Sequence, residues 1–97
     1  MNQLKPLSDF FTAIAKDPRI GVSHISLYCA LLQNCNEPES DLVIPIVSAE
    51  IMKAAKISGL GTYHKCIRDL HKYGYLRYQP SFNHRKKSNV CLCFNEK

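Results

Sequence analysis

No run of apolar residues in this 97-residue chain is long enough to cross a bilayer. The longest, around residues 28–32, falls far short of the ~20 that a spanning helix needs. No Gly/Ser-rich or Pro-rich linker divides the chain and no internal repeat is visible, so a single domain, 1–97, is expected. The N-terminal stretch MNQLKPLSDFF lacks the charged, then apolar, then small order of a secretory signal. Without an export signal, five cysteines, an odd number, read as reduced thiols of a cytoplasmic protein. These absences argue against a membrane protein, a secreted disulfide-held mini-protein and a large multistep enzyme. The 45% hydrophobic and 22% charged composition is instead that of an ordinary small globular domain.

Motifs that carry chemistry are equally scarce. Cys91 and Cys93, with His84, offer metal-ligand atoms, but no second Cys-x-x-Cys pair or His-x-x-x-His accompanies them. His64 and His71 share a helix side, yet no carboxylate pair, glycine-rich phosphate loop or nucleophile motif stands with them. The expectation is therefore no enzyme, no metal, no cofactor and no small-molecule ligand.

Acidic residues are nearly missing from the second half of the chain. Residues 1–50 hold three Lys/Arg and six Asp/Glu, a net −3, whereas residues 51–97 hold ten and two, a net +8. Such asymmetry suits a polyanionic partner, most often a nucleic acid.

Apolar spacing predicts four helices. Leu7, Phe10, Phe11 and Ile14 mark the first, with Ser8 as N-cap and an end near Asp17-Pro18. Ser23 caps a second, running to about Asn34, whose wide apolar face places it at the centre of the core or against a partner. Residues 35–43 read as an acidic loop, and Ile44-Pro45-Ile46 as a short extended segment limited by its proline. Ser48 caps a third helix with Glu50 in its first turn. A turn with two glycines, residues 57–61, leads to a fourth helix over about 61–73, closed by Gly74. Strands over 75–79 and 89–94 then flank a basic connection, forming a two-stranded hairpin. Alternation turns Val90, Leu92 and Phe94 to the core and the two cysteines away from it.

Helix, glycine turn, helix and hairpin is the order of a winged helix-turn-helix, a mainly α fold with a small β wing (α+β). In that fold the second helix of the pair enters the DNA major groove. With a period of 3.6 residues, Tyr63, Cys66, Ile67, Leu70 and Tyr73 share one side of the fourth helix. Gly61, Lys65, Arg68 and Lys72 take the other, bordered by His64 and His71, with Asp69 at the far edge. Solvated helix faces usually mix charge signs to form i,i+4 pairs, and Lys65–Asp69 is the only such pair here. Arginine and lysine suit guanine edges and phosphates, and the first turn offers N–H groups to a phosphate. The wing, 81–88, adds Arg85, Lys86 and Lys87 for the DNA backbone or minor groove.

The run from Ser23 to Phe94 also resembles the winged helix-turn-helix proteins of Bacteroidetes that are usually described as transcriptional regulators, many of them on mobile or conjugative elements. The pieces that carry the likeness are HISLYCALLQ, SAEIMKAAKIS, TYHKCIRDLHKYGYLRY and, at the wing, PSF-N followed by S-N-V-C-L. The resemblance implies sequence-specific binding of double-stranded DNA, with Thr62, Tyr63, His64, Lys65 and Arg68 at the groove. It covers 23–94 and leaves 1–22 as an N-terminal helical extension. The chain departs from the family at the wing tip, where His84-Arg85-Lys86-Lys87 replaces a Pro-Phe-Lys-Gly type of turn. The helical wheel turns Tyr63 inward, so the expected DNA-binding set is Thr62, His64, Lys65, Arg68, Lys72, Arg85, Lys86 and Lys87. Lys53 and Lys56 flank it. A homodimer through the first two helices is a further expectation, resting on Phe10, Phe11 and the broad apolar second helix. Other readings remain open: a winged helix that binds an acidic protein, an accessory factor in replication or excision of a mobile element, or single-strand stacking on Tyr73, Tyr75, Tyr78 and Phe82.

Overall fold

The computed structural model describes residues 4–34, 44–80 and 88–92. The acidic loop 35–43, the wing tip with Phe82, His84, Arg85, Lys86 and Lys87, and Cys93 and Phe94 lie outside the described residues. The order is α1 (Leu4–Ile14), α2 (Val22–Gln33), β1 (Ile44–Ile46), α3 (Ser48–Ala55), α4 (Leu60–Lys72), β2 (Arg77–Gln79) and β3 (Ser88–Cys91). Among the described residues it is a small α+β fold with four helices and one antiparallel sheet.

That sheet has three strands in the order β1-β3-β2, not the two expected. Ile44-Pro45-Ile46 joins it by pairing with Val90, Asn89 and Ser88. Proline is tolerated there because β1 is an edge strand, where a missing ladder donor can face outward. Local spacing could not reveal this pairing, which links segments more than forty residues apart.

The helix starts differ from the sequence reading for local reasons. Helix α1 begins at Leu4 and leaves Ser8 exposed inside it. Pro6 suits a first helical turn because its missing N–H would find no intrahelical acceptor there. Helix α2 starts at Val22, ahead of Ser23, because the Gly21 N–H donates to Nδ1 of His24 at 3.0 Å. Val47, extended at the end of β1, takes the N-cap position expected of Ser48, so strand runs directly into α3.

Between α3 and α4 the left-handed residue is Lys56, at φ +64°, and neither Gly59 nor Gly61 has positive φ. The Ile57 N–H returns to the Met52 carbonyl at 3.0 Å and satisfies the end of α3. Gly74 does adopt φ +89°, as the end of α4 requires.

Helix α2 lies at the centre of the core. Leu27, Tyr28, Ala30, Leu31 and Leu32 are all buried, together with Phe10, Ile14, Ile46, Ile51, Ile67, Leu70 and Val90. Phe10 stacks on Tyr28 at 3.9 Å between centroids and meets Tyr75 edge-on at 5.5 Å. It is wholly buried, so it is not free for a dimer interface, whereas Phe11 is exposed. Cys91 is buried as well, on the sheet face opposite Val90. The loop after α1 is latched to the end of α4. Arg19 grips both oxygens of Asp17 at 2.7 and 2.8 Å, and the Tyr75 hydroxyl donates to the same carboxylate at 2.6 Å. Arg19, followed by Tyr75, holds that carboxyl well below the usual range. The Arg19 guanidinium also covers the Tyr73 ring at 3.8 Å.

Adjacent phenylalanines thus have opposite fates. Phe10→Ala should cost ~3–5 kcal/mol in urea unfolding because a buried ring is lost. Phe11→Ala should cost under ~1 kcal/mol. Equal losses would contradict this packing.

Candidate nucleic-acid interface

Helix α4 has two faces that its sequence makes unequal. Tyr63, Cys66, Ile67 and Leu70 point inward, each no more than 3% exposed. Burial pushes the Cys66 thiol up and the Tyr63 hydroxyl up to about 12. The Tyr63 hydroxyl has no hydrogen-bond partner among the described residues. Tyr63, groove-facing by resemblance, is therefore an interior residue, as its position on the wheel requires.

Gly61, Thr62, Lys65, Arg68, His71 and Lys72 are exposed, and His64 is half-buried beside the Tyr63 ring at 5.2 Å. The helix starts after an extended Gly59 that supplies no side-chain cap. Its first N–H groups, at Leu60, Gly61 and Thr62, thus remain turned toward solvent. Lys53 and Lys56 are also exposed, on and just beyond α3.

The exposed cations are not equivalent. Lys65 Nζ lies 3.0 Å from Asp69 Oδ2, and this bond raises the lysine pKa. Lys72 Nζ stands 6.0 Å from the Tyr73 ring centroid. Arg68 has neither a hydrogen bond nor an ion pair among the described residues. Lys72 has no such bond either, so of the three only Lys65 has a donor engaged, and Arg68 is the one that offers a guanidinium fork.

Sequence reasoning missed the residue that anchors this face from behind. His24 is 8% exposed, and its Nε2 meets Asp69 Oδ2 at 2.9 Å. With Nδ1 accepting from the Gly21 N–H, the ring proton sits on Nε2 and is given to the carboxylate. The hydrogen bond from His24, and then the hydrogen bond and charge of Lys65, keep the Asp69 carboxyl below its ordinary pKa. Asp69 thereby ties the start of α2 to the outer face of α4. Its partner is 45 positions away, so no spacing rule could pair them. The available signals were a histidine one turn inside a helix and a lone acid on a basic helix. Among the described residues, no group of three or more His, Cys, Asp or Glu side chains could hold a metal ion. No described helix is long and apolar enough to cross a membrane. Arg85, Lys86 and Lys87, expected at the wing, lie outside the described residues.

The two ties to Asp69 should differ in weight. His24→Ala removes a buried bridge and strands the Gly21 N–H and the carboxylate, an expected loss of ~1–3 kcal/mol in chemical denaturation. Lys65→Ala breaks only an exposed i,i+4 pair and should cost within about 0.5 kcal/mol. A reversed order would show that His24 does not anchor the face.

Comparison with protein-family models, with characterised proteins and with solved structures finds no significant match.

Proposed function

We propose that the chain is a winged helix-turn-helix protein that binds double-stranded DNA sequence-specifically and acts as a transcriptional regulator, like the bacterial proteins its sequence resembles. One observation carries this reading: α4 turns Lys65, Arg68 and Lys72 to solvent while its underside is locked in the core. The element order supports it too. Helix α3, a four-residue turn and helix α4 are followed by strands of a small sheet, the arrangement in which a second helix is free to enter a major groove.

The roles follow from chemistry. Arg68, without a competing partner, reads a guanine edge through two parallel hydrogen bonds. Lys65 is held over the helix by Asp69 and exchanges that contact for a base or phosphate oxygen. His64 borders the same face. Thr62 and the free N–H groups of the first turn of α4 take a phosphate, and Lys72, Lys53 and Lys56 neutralise flanking charge. Arg85, Lys86 and Lys87 extend the footprint to the backbone. The mechanism is binding, without covalent chemistry.

Selection from a random duplex library at near-physiological salt tests the reading. An enriched motif is expected, and a palindrome would give half-site symmetry at once. Preference for single strands, or no nucleic-acid binding at all, would overturn it; in the latter case an acidic protein becomes the partner to seek.

Arg68→Ala should weaken cognate binding by ~1–3 kcal/mol with a smaller loss on random duplex. Equal losses would assign Arg68 to phosphate instead of base. Replacing Lys86 and Lys87 together with alanine should reduce the slope of log affinity against log salt by up to about two phosphate contacts' worth. An unchanged slope would remove the wing from the interface.

A further inference from the structure

The outer face of the sheet carries chemistry that the α4 interface does not use. Along β2 the pattern is exposed, buried, exposed, so Arg77 and Gln79 face away from the core that Tyr78 enters. Their direct partners on β3 are Cys91 and Asn89. Cross-strand partners share a face, so these four side chains form a two-by-two array. Together with His71 from the last turn of α4, and with Tyr78 and Val90, they line an open groove of about 410 Å³. That volume lies within the range of small-ligand sites, roughly 300–1,000 Å³.

The groove is one-sided in its charge. Arg77 contributes a guanidinium with no ion-pair partner among the described residues. The Tyr78 N–H donates to His71 Nδ1 at 3.1 Å. That bond keeps the ring proton on Nε2 and makes the free nitrogen a donor. Gln79 and Asn89 add side-chain amides, which turn their NH₂ ends to an anion, and the Cys91 thiol, buried at the base, is a weak donor. Among the described lining residues none is Asp or Glu. A cation would find no counter-charge among these residues, and an apolar ligand would leave the Arg77 guanidinium without a partner. An oxyanion supplies one, because a guanidinium matches two of its oxygens at once.

We propose that this groove is an oxyanion site of the phosphate type, with Arg77 as the charged clamp, the Nε2–H of His71 as a second donor, and the amides of Gln79 and Asn89 completing the set. The phosphate has two chemical sources, a phosphodiester of nucleic acid or a small free phosphate compound. The site stands on its own geometry and does not require the DNA-binding reading.

Titration of the ¹⁵N-labelled full chain with inorganic phosphate, against chloride at matched ionic strength, decides the matter. Saturable amide shifts are expected at His71, Arg77, Tyr78, Gln79, Asn89, Val90 and Cys91. Arg77→Gln should weaken the phosphate by about tenfold, the worth of a charge-assisted hydrogen bond. Gln79→Glu, at an exposed position, should weaken it by bringing a like charge into the groove. No saturable shift there, or unchanged affinity in both variants, would overturn the site. Repeating the titration on duplex-bound protein separates the sources. If the duplex abolishes the phosphate shifts and Arg77→Gln weakens duplex binding, the natural occupant is a phosphodiester. If the shifts persist, it is a small free phosphate compound. Should the protein bind no duplex, the DNA-binding reading fails while the titration of the free chain still decides the groove.

Discussion

Tyr63, Cys66, Ile67 and Leu70 are buried in one core with Leu27, Tyr28 and Leu31 of α2, and this contact sets the rotation of α4 about its own axis. Fully burying one large aliphatic side chain such as Ile67 or Leu70 stabilises by ~1.5–3 kcal/mol, and the Tyr63 ring and the small Cys66 pack beside them along the helix. Turning α4 by one residue would carry Lys65 or Arg68 into the same interior without a partner, at a large desolvation cost. The direction of the cationic side chains is thus enforced from beneath. The proposed DNA-binding surface is a consequence of core packing as much as of charge.

Polar ties then fix α4 along its length, where apolar packing alone is less directional. His24 holds Asp69 in the middle of the helix. His71 holds the Tyr78 N–H of β2 near its end. Asp17 collects Arg19 and Tyr75 just beyond that end. Each tie joins α4, or the turn that follows it, to a different element, so the helix is located against α2, the sheet and the loop after α1. The same ties shape its chemistry. Asp69 partly neutralises Lys65 and leaves Arg68 unencumbered on the outer side of α4. His71 is turned so that its remaining N–H is available to the groove beside the sheet.

The basic half of the chain is therefore distributed over two surfaces. Lys65, Arg68 and Lys72 lie on the outer side of α4, while Arg77 sits on the outer face of β2, next to His71. His71 belongs to the border of the first surface and to the wall of the second. An anion in the groove and a duplex on α4 would accordingly meet at the last turn of the helix.

The order of residues by itself determined the four helices, the inward set on α4, the outward Lys65, Arg68 and Lys72, and the left-handed Gly74. These depend on periodicity and on backbone preferences that neighbours along the chain express locally. Tertiary structure alone decided that Phe10 is interior and Phe11 is not, that Ile44-Pro45-Ile46 becomes the third strand, and that His24 bridges Gly21 and Asp69. It also decided that Arg77, Gln79, Asn89 and Cys91 share one face with His71. Each of those outcomes turns on groups that meet only when distant segments fold together, and such meetings leave no repeat or spacing in the sequence.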